Sequence, residues 1–77
     1  MKNKKPESKV QLKAVSHLEE EYSRQRGRLN VIAEETGLSV EWLHKVRRGR
    51  IKEPSAEKLE RVLRHGGFDV QVIKDND

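Results

Sequence analysis

Residues 29 to 49, LNVIAEETGLSVEWLHKVRRG, constrain the fold of this chain more than any other stretch. Two short amphipathic patterns lie there, separated only by Thr36-Gly37-Leu38-Ser39. That is enough chain for a tight reversal between two packed helices and for nothing larger. The first pattern reads helical from Leu29 to Thr36, with Leu29, Ile32 and Ala33 on one stripe. Gly37 can enter the left-handed backbone region that ends such a helix at little steric cost. Ser39 then offers an oxygen to the free N–H groups of a second helix, whose apolar residues are Val40, Trp42, Leu43 and Val46. Ala33 is small and sits four residues before the glycine, so the second helix can approach the first closely.

Further helices flank this pair. From Ser8 to about Arg26, Val10, Ala14, Val15, Leu18 and Tyr22 recur at three- and four-residue steps. Glu19, Glu20 and Glu21 form an acidic run that reads as a solvated face. Gly27 and Arg28 read as the link to the next helix, with Arg24, Arg26 and Arg28 clustered around it. After Glu53-Pro54, Ser55 is a plausible N-cap, and Ala56, Leu59, Val62 and Leu63 make an apolar stripe ended by Gly66-Gly67. Phe68-Asp69-Val70-Gln71-Val72 alternates apolar and polar and so predicts a short strand with Phe68, Val70 and Val72 on one face. A lone strand cannot satisfy its own backbone. Such a segment either pairs with a copy of itself in a second subunit or folds back to cover the core.

The expectation is an all-α bundle of four to five helices with a short C-terminal strand: a flexible basic arm over 1–9, the helical domain over 10–67, and a tail over 68–77 that could join two subunits. With 77 residues, 32% of them apolar, the chain has room for one small core. Its stability should be a few kcal/mol. The absence of cysteine rules out disulfides and thiolate metal sites. His17, His44 and His65 lack paired-ligand spacing, so no metal is expected. No serine lies in a nucleophile-elbow motif and no glycine-rich loop suggests a nucleotide, so neither enzymatic activity nor a cofactor is expected. No apolar run approaches a membrane span or a signal-peptide core, and a cytoplasmic protein without membrane contact is the default. The formal net charge of +4 suits a polyanion partner.

The distribution of that charge is more informative than its total. With helical residues turning about 100° each and Val40 set at zero, Leu43 and Val46 point near about 300° and 240°, which fixes the buried direction near about 270°. Glu41, His44, Lys45 and Arg48 then fall at about 100°, 40°, 140° and 80°, on the opposite face. Trp42, near about 200°, flanks the buried side and reads as a core or wedge residue rather than an outward contact. Between Trp42 and Lys52 stand Lys45, Arg47, Arg48, Arg50 and Lys52, with no acidic residue among them. Clustering charges of one sign costs repulsion unless a polyanion relieves it.

The small Ala33, the turn glycine Gly37, the apolar Ile32, Leu38, Leu43 and Val46, and Gly49 after the second helix make up a pattern. It resembles the helix-turn-helix of the Cro and repressor proteins of lambda-like phages and of the wider xenobiotic-response-element family of bacterial regulators. The flanking helices fit the same family. In that family the first helix of the motif often begins with a glutamine that touches a phosphate. Leu29 stands there in this chain, so Arg28 or Asn30 would have to substitute. The resemblance places Ser39, Val40, Glu41 and Lys45 at positions used on bases, and the wheel adds His44 and Arg48 to the same face. Base edges are read by directed hydrogen bonds: Lys45 could donate to guanine, Glu41 could accept from a cytosine amino group, and Val40 could touch a thymine methyl. Arg47, Arg50 and Lys52 are assigned to phosphates. The arm, through Lys2, Lys4 and Lys5, is either a solubilising tail or a salt-dependent contact along the backbone.

Resemblance to Cro proteins further suggests a homodimer joined through Phe68, Val70 and Val72, which would hold two recognition helices one turn of DNA apart. The expected function is a sequence-specific regulator that binds a double-stranded DNA operator, a repressor of phage or bacterial type. The competing expectation is an antitoxin-like or adaptor module that uses the same scaffold to bind a protein. RNA binding is disfavoured by the scarcity of aromatic residues for base stacking.

Overall fold

In the computed structural model, which describes residues 9–75, five α-helices follow one another: α1 (Lys9–Arg24), α2 (Arg28–Thr36), α3 (Val40–Arg47), α4 (Ala56–His65) and α5 (Val70–Asp75). No strand occurs among the described residues. The predicted basic arm lies outside them except for Lys9, which opens α1.

The longest helix is the hub. α1 buries Val10, Ala14 and Leu18 at four-residue steps, and each of the other four helices packs against it. Onto this stripe come Leu29, Ile32 and Ala33 of α2, Leu43 and Val46 of α3, Leu59, Val62 and Leu63 of α4, and Val70 of α5. Burying one such aliphatic side chain is worth about 1.5–3 kcal/mol. A core of this size therefore leaves little margin once chain entropy is set against it.

The turn between α2 and α3 forms as the sequence dictates. Gly37 has φ 77°, its N–H donates to the Ala33 carbonyl at 2.9 Å, and the Leu38 N–H donates to the same oxygen at 3.1 Å. Leu38 then drops into the core. The Thr36 hydroxyl donates to the Ile32 carbonyl at 2.6 Å, and Arg61 of α4 donates to the Thr36 carbonyl at 3.3 Å. The end of α2 is thereby closed from both sides. Ser39 Oγ accepts from the Trp42 N–H at 3.2 Å and starts α3, and Ser55 Oγ accepts from the Lys58 N–H at 3.4 Å and starts α4.

The strand expected over 68–72 is replaced by a helix. The Phe68 N–H closes α4 on the Leu63 carbonyl at 2.9 Å, and Asp69 Oδ1 then accepts from the N–H groups of Gln71 (3.1 Å) and Val72 (3.3 Å), which starts α5. A helix satisfies its own backbone without a neighbouring strand. The spacing from Val70 to Ile73 lets both residues reach the core, so Phe68, Val70 and Val72 do not share a face: Val70 is 5% exposed and Val72 54%. The last turn of α5 is tied to α4, with Lys74 Nζ 2.9 Å from Glu60 Oε2.

Candidate nucleic-acid interface

α3 is held by α2 on one side and by α1 on another, with no direct packing of its backbone on α4 or α5. Leu43 and Val46 are sealed in the core, and Val40 and Trp42 pack at its border. Lys58 Nζ of α4 lies 5.4 Å from the Trp42 ring, so the half-buried indole at the core border also carries a cation on its face. Ser39, Glu41, Lys45 and Arg48 are exposed. Gly49, at φ 71°, turns the chain out of α3, and the Arg50 N–H donates back to the Lys45 carbonyl at 2.8 Å. Arg50 and Lys52 follow, also exposed. Among the described residues, the side chains of Lys45, Arg48, Arg50 and Lys52 have no ion pair.

Two residues expected on this surface are drawn inward. Arg47, assigned to a phosphate, has a side chain only 11% exposed: Nη1 donates to Glu19 Oε1 at 2.9 Å and the guanidinium lies 4.0 Å from the centre of the Tyr22 ring. His44, assigned to the base-reading face, is half-buried with its ring edge-on to Tyr22 at 5.5 Å. Burial, followed by the neighbouring Arg47 and Arg48 cations, holds the His44 pKa below its usual value. The wheel reading failed here because it allowed α3 one buried direction. α1 supplies a second, and the covered arc extends through about 340° (Arg47) to about 40° (His44). The outward sector narrows to Glu41, Lys45 and Arg48.

The amino end of α2 is similarly committed. Arg28 Nε donates to Glu21 Oε1 at 2.8 Å, and Arg24 Nη1 stands 3.8 Å from the other carboxylate oxygen. The Arg28 hydrogen bond keeps the Glu21 carboxyl below the usual carboxylate range. Arg28 thus already has a counterion, whereas Asn30, one turn into the exposed side of α2, faces solvent. Of the residues expected at phosphates, Asn30, Arg50 and Lys52 are open and Arg28 and Arg47 are paired. The residues expected to join two subunits are divided: Val70 is in the core, Phe68 is half-buried against His17, and Val72 is outside.

Glu19 and Tyr22 shape this surface, although the sequence reading gave Glu19 to solvent and Tyr22 to the general core. The available signal was their three-residue spacing on α1, which puts an acid and an aromatic ring on one face, a pairing suited to an arginine. No group of three or more His, Asp or Glu side chains placed to hold a metal ion occurs among the described residues, and no helix there is long and apolar enough to cross a membrane. Comparisons with known protein families, with curated proteins and with solved structures found no match to this chain.

Proposed function

We propose that the chain is a sequence-specific DNA-binding regulator, with α3 entering the major groove and the loop after it following the phosphate backbone. The observation that carries this reading is the outward sector of α3 and the loop that continues it. Lys45, Arg48, Arg50 and Lys52 are exposed there and have no ion pair among the described residues, at the end of a short helix set against its neighbour by a tight turn and in the loop beyond. Long polar side chains on an open helix can make directed hydrogen bonds to base edges, and the cations beyond can neutralise phosphates. Glu41 and Lys45 are the candidates for base discrimination, with Arg48 and Ser39 beside them. Arg50, Lys52 and Asn30 are the candidates for backbone contact.

In this reading the chain acts as a repressor: a homodimer on an operator with two half-sites occludes the site from polymerase. A dimer would now rest on helical surfaces. Leu12 is 51% exposed and Val72 54%, and Leu12 lines a shallow cleft together with Ile73. The same exposed apolar residues favour the second reading, a protein-interaction module that uses the bundle as a scaffold. Gel shift with random duplex at moderate salt, followed by selection from a random pool, separates the two. Retention and enrichment of a symmetric site support the regulator, whereas indifference to duplex in dilute buffer removes it. Sedimentation of the free and DNA-bound chain reports the dimer.

A further inference from the structure

Tyr22 is the only tyrosine in the chain, and it stands where α1 meets the last turn of α3. The Arg47 guanidinium lies 4.0 Å from its ring centre, His44 meets it edge-on at 5.5 Å with the rings at 88°, and Glu19, one turn earlier on α1, binds Arg47 at 2.9 Å. Arg47 Nε and His44 Nδ1 are shielded from solvent and accept or donate no hydrogen bond within the described residues. Arg47 has exchanged hydration for contact with α1, the reverse of what a phosphate ligand needs before it binds.

We infer that Glu19 and Tyr22, on a helix that carries none of the reading face, set base discrimination by fixing the roll of α3 about its own axis through Arg47 and His44. The inference rests on the reading of α3 as a DNA-reading helix. α3 spans 8 residues, and its two fully buried side chains, Leu43 and Val46, point only about 60° apart. Val40 and Trp42 pack only at the border of this contact, and the clamp extends it past Arg47, at about 340°, to His44, at about 40° and so about 100° from Leu43. Side-chain tips lie about 6 Å from a helix axis, so a roll of about 20° moves a tip by about 2 Å. That displacement breaks a hydrogen bond to a base edge but barely changes a cation's attraction to a phosphate. Glu19 and Tyr22 are therefore positioning residues, and their effect falls on specificity rather than on overall affinity.

The test compares the wild-type chain with Tyr22→Leu, Tyr22→Phe, Glu19→Gln and Arg47→Met by fluorescence anisotropy over a salt titration. Two labelled duplexes are used: the one the wild-type chain enriches from a random pool, and a scrambled duplex of the same composition. Tyr22→Leu and Arg47→Met are expected to lower the ratio of selected to scrambled affinity about tenfold, the scale of one lost base contact, and to leave the salt slope on the scrambled duplex unchanged. Tyr22→Phe keeps the ring and should restore the ratio. Glu19→Gln changes a half-exposed group and should lower the ratio about twofold. Amide spectra of Glu19→Gln should show shifts spread along α3 while the other helices stay in place, which keeps the test sharp even if Tyr22→Leu does not fold. An unchanged ratio in these variants overturns the inference alone. So does an Arg47→Met variant whose salt slope falls by about one with both affinities lowered together, since Arg47 would then be a phosphate ligand. A wild-type chain that enriches no duplex overturns the DNA reading and this inference with it.

Discussion

The unpaired cations of the α3 face make a quantitative prediction about salt. Each phosphate that a protein neutralises on duplex DNA contributes about −0.9 to the slope of log affinity against log salt. On a random duplex, where no matched base holds Lys45 or Arg48, all four of Lys45, Arg48, Arg50 and Lys52 can turn to phosphates, so the slope should be about −3.6 and affinity should fall about 150-fold between about 50 and 200 mM salt. Arg50→Gln removes one of these charges. The side chain is exposed and its backbone bond to Lys45 is untouched, so the fold should change by less than about 0.5 kcal/mol. The slope should then rise to about −2.7 and the loss over the same salt range should shrink to about 40-fold. The same anisotropy titration on a random duplex measures both. Lys13→Gln is the control: Lys13 is an exposed cation on the amino-terminal half of α1, 5.6 Å from the Phe68 ring, and should leave the slope unchanged. Equal slopes for the wild type and Arg50→Gln, or an equal effect of Lys13→Gln, would refute the assignment of charge to this face.

Other expectations concern stability. Gly37→Ala meets no atom within 4 Å of the added methyl, so its cost is the left-handed backbone alone, about 1–2 kcal/mol, readable as a lowered urea midpoint. Leu43→Ala removes a fully buried side chain and should cost about 2–5 kcal/mol, enough to abolish much of the helical circular dichroism at 25 °C, whereas Val72→Ala should be nearly silent. Asp69→Ala removes the acceptor that starts α5 and should cost about 0.5–2 kcal/mol, with loss of amide protection confined first to residues 70–75. If that segment were a strand, protection there would not depend on Asp69. Acidification should also destabilise. Burial holds His17 and His44 below the usual pKa of 6.5, so the unfolded chain takes up protons first as pH falls through 6.5. Stability should be level above about pH 7.5 and decline towards pH 5. The depressed carboxyls of Glu21 and Glu60 weaken it further only below their usual 4.5. A urea midpoint that rises between pH 7.5 and 5.5 would contradict this.

Most of the helical framework is legible in the sequence because local rules and core burial agree there. Ser39 and Ser55 cap where an oxygen precedes an apolar stripe, Gly37 ends α2 in the left-handed region, and Leu43 and Val46 face inward. Residues 68–72 were misread because two periodicities overlap: Phe68, Val70 and Val72 alternate, while Val70 and Ile73 keep helical spacing. Only the capping by Asp69 and the lack of a pairing strand among the described residues decide between them. The exposed sector of α3 was legible in the sequence, and the covering of His44 and Arg47 was not, for one physical reason. A wheel gives the direction of a side chain but not how many neighbours a helix has, and α3 has two.

The acidic run on α1 then acquires a different meaning from the one its composition suggests. Glu19 takes Arg47, and Glu21 takes Arg28 and approaches Arg24, so two of the three carboxylates select which basic residues already carry a counterion. Exposed ion pairs add little stability, and neither pair is fully buried, so their larger effect is on where charge remains. Without Glu19, Arg47 would be held by the Tyr22 ring alone, and its positive charge would lie uncompensated beside Lys45, Arg48, Arg50 and Lys52. With it, α3 offers a narrow sector of Glu41, Lys45 and Arg48 flanked by neutral His44, and the loop offers Arg50 and Lys52 beyond. Separating directed polar groups from diffuse positive charge in this way is what a surface needs if it is to prefer one sequence rather than hold every duplex equally.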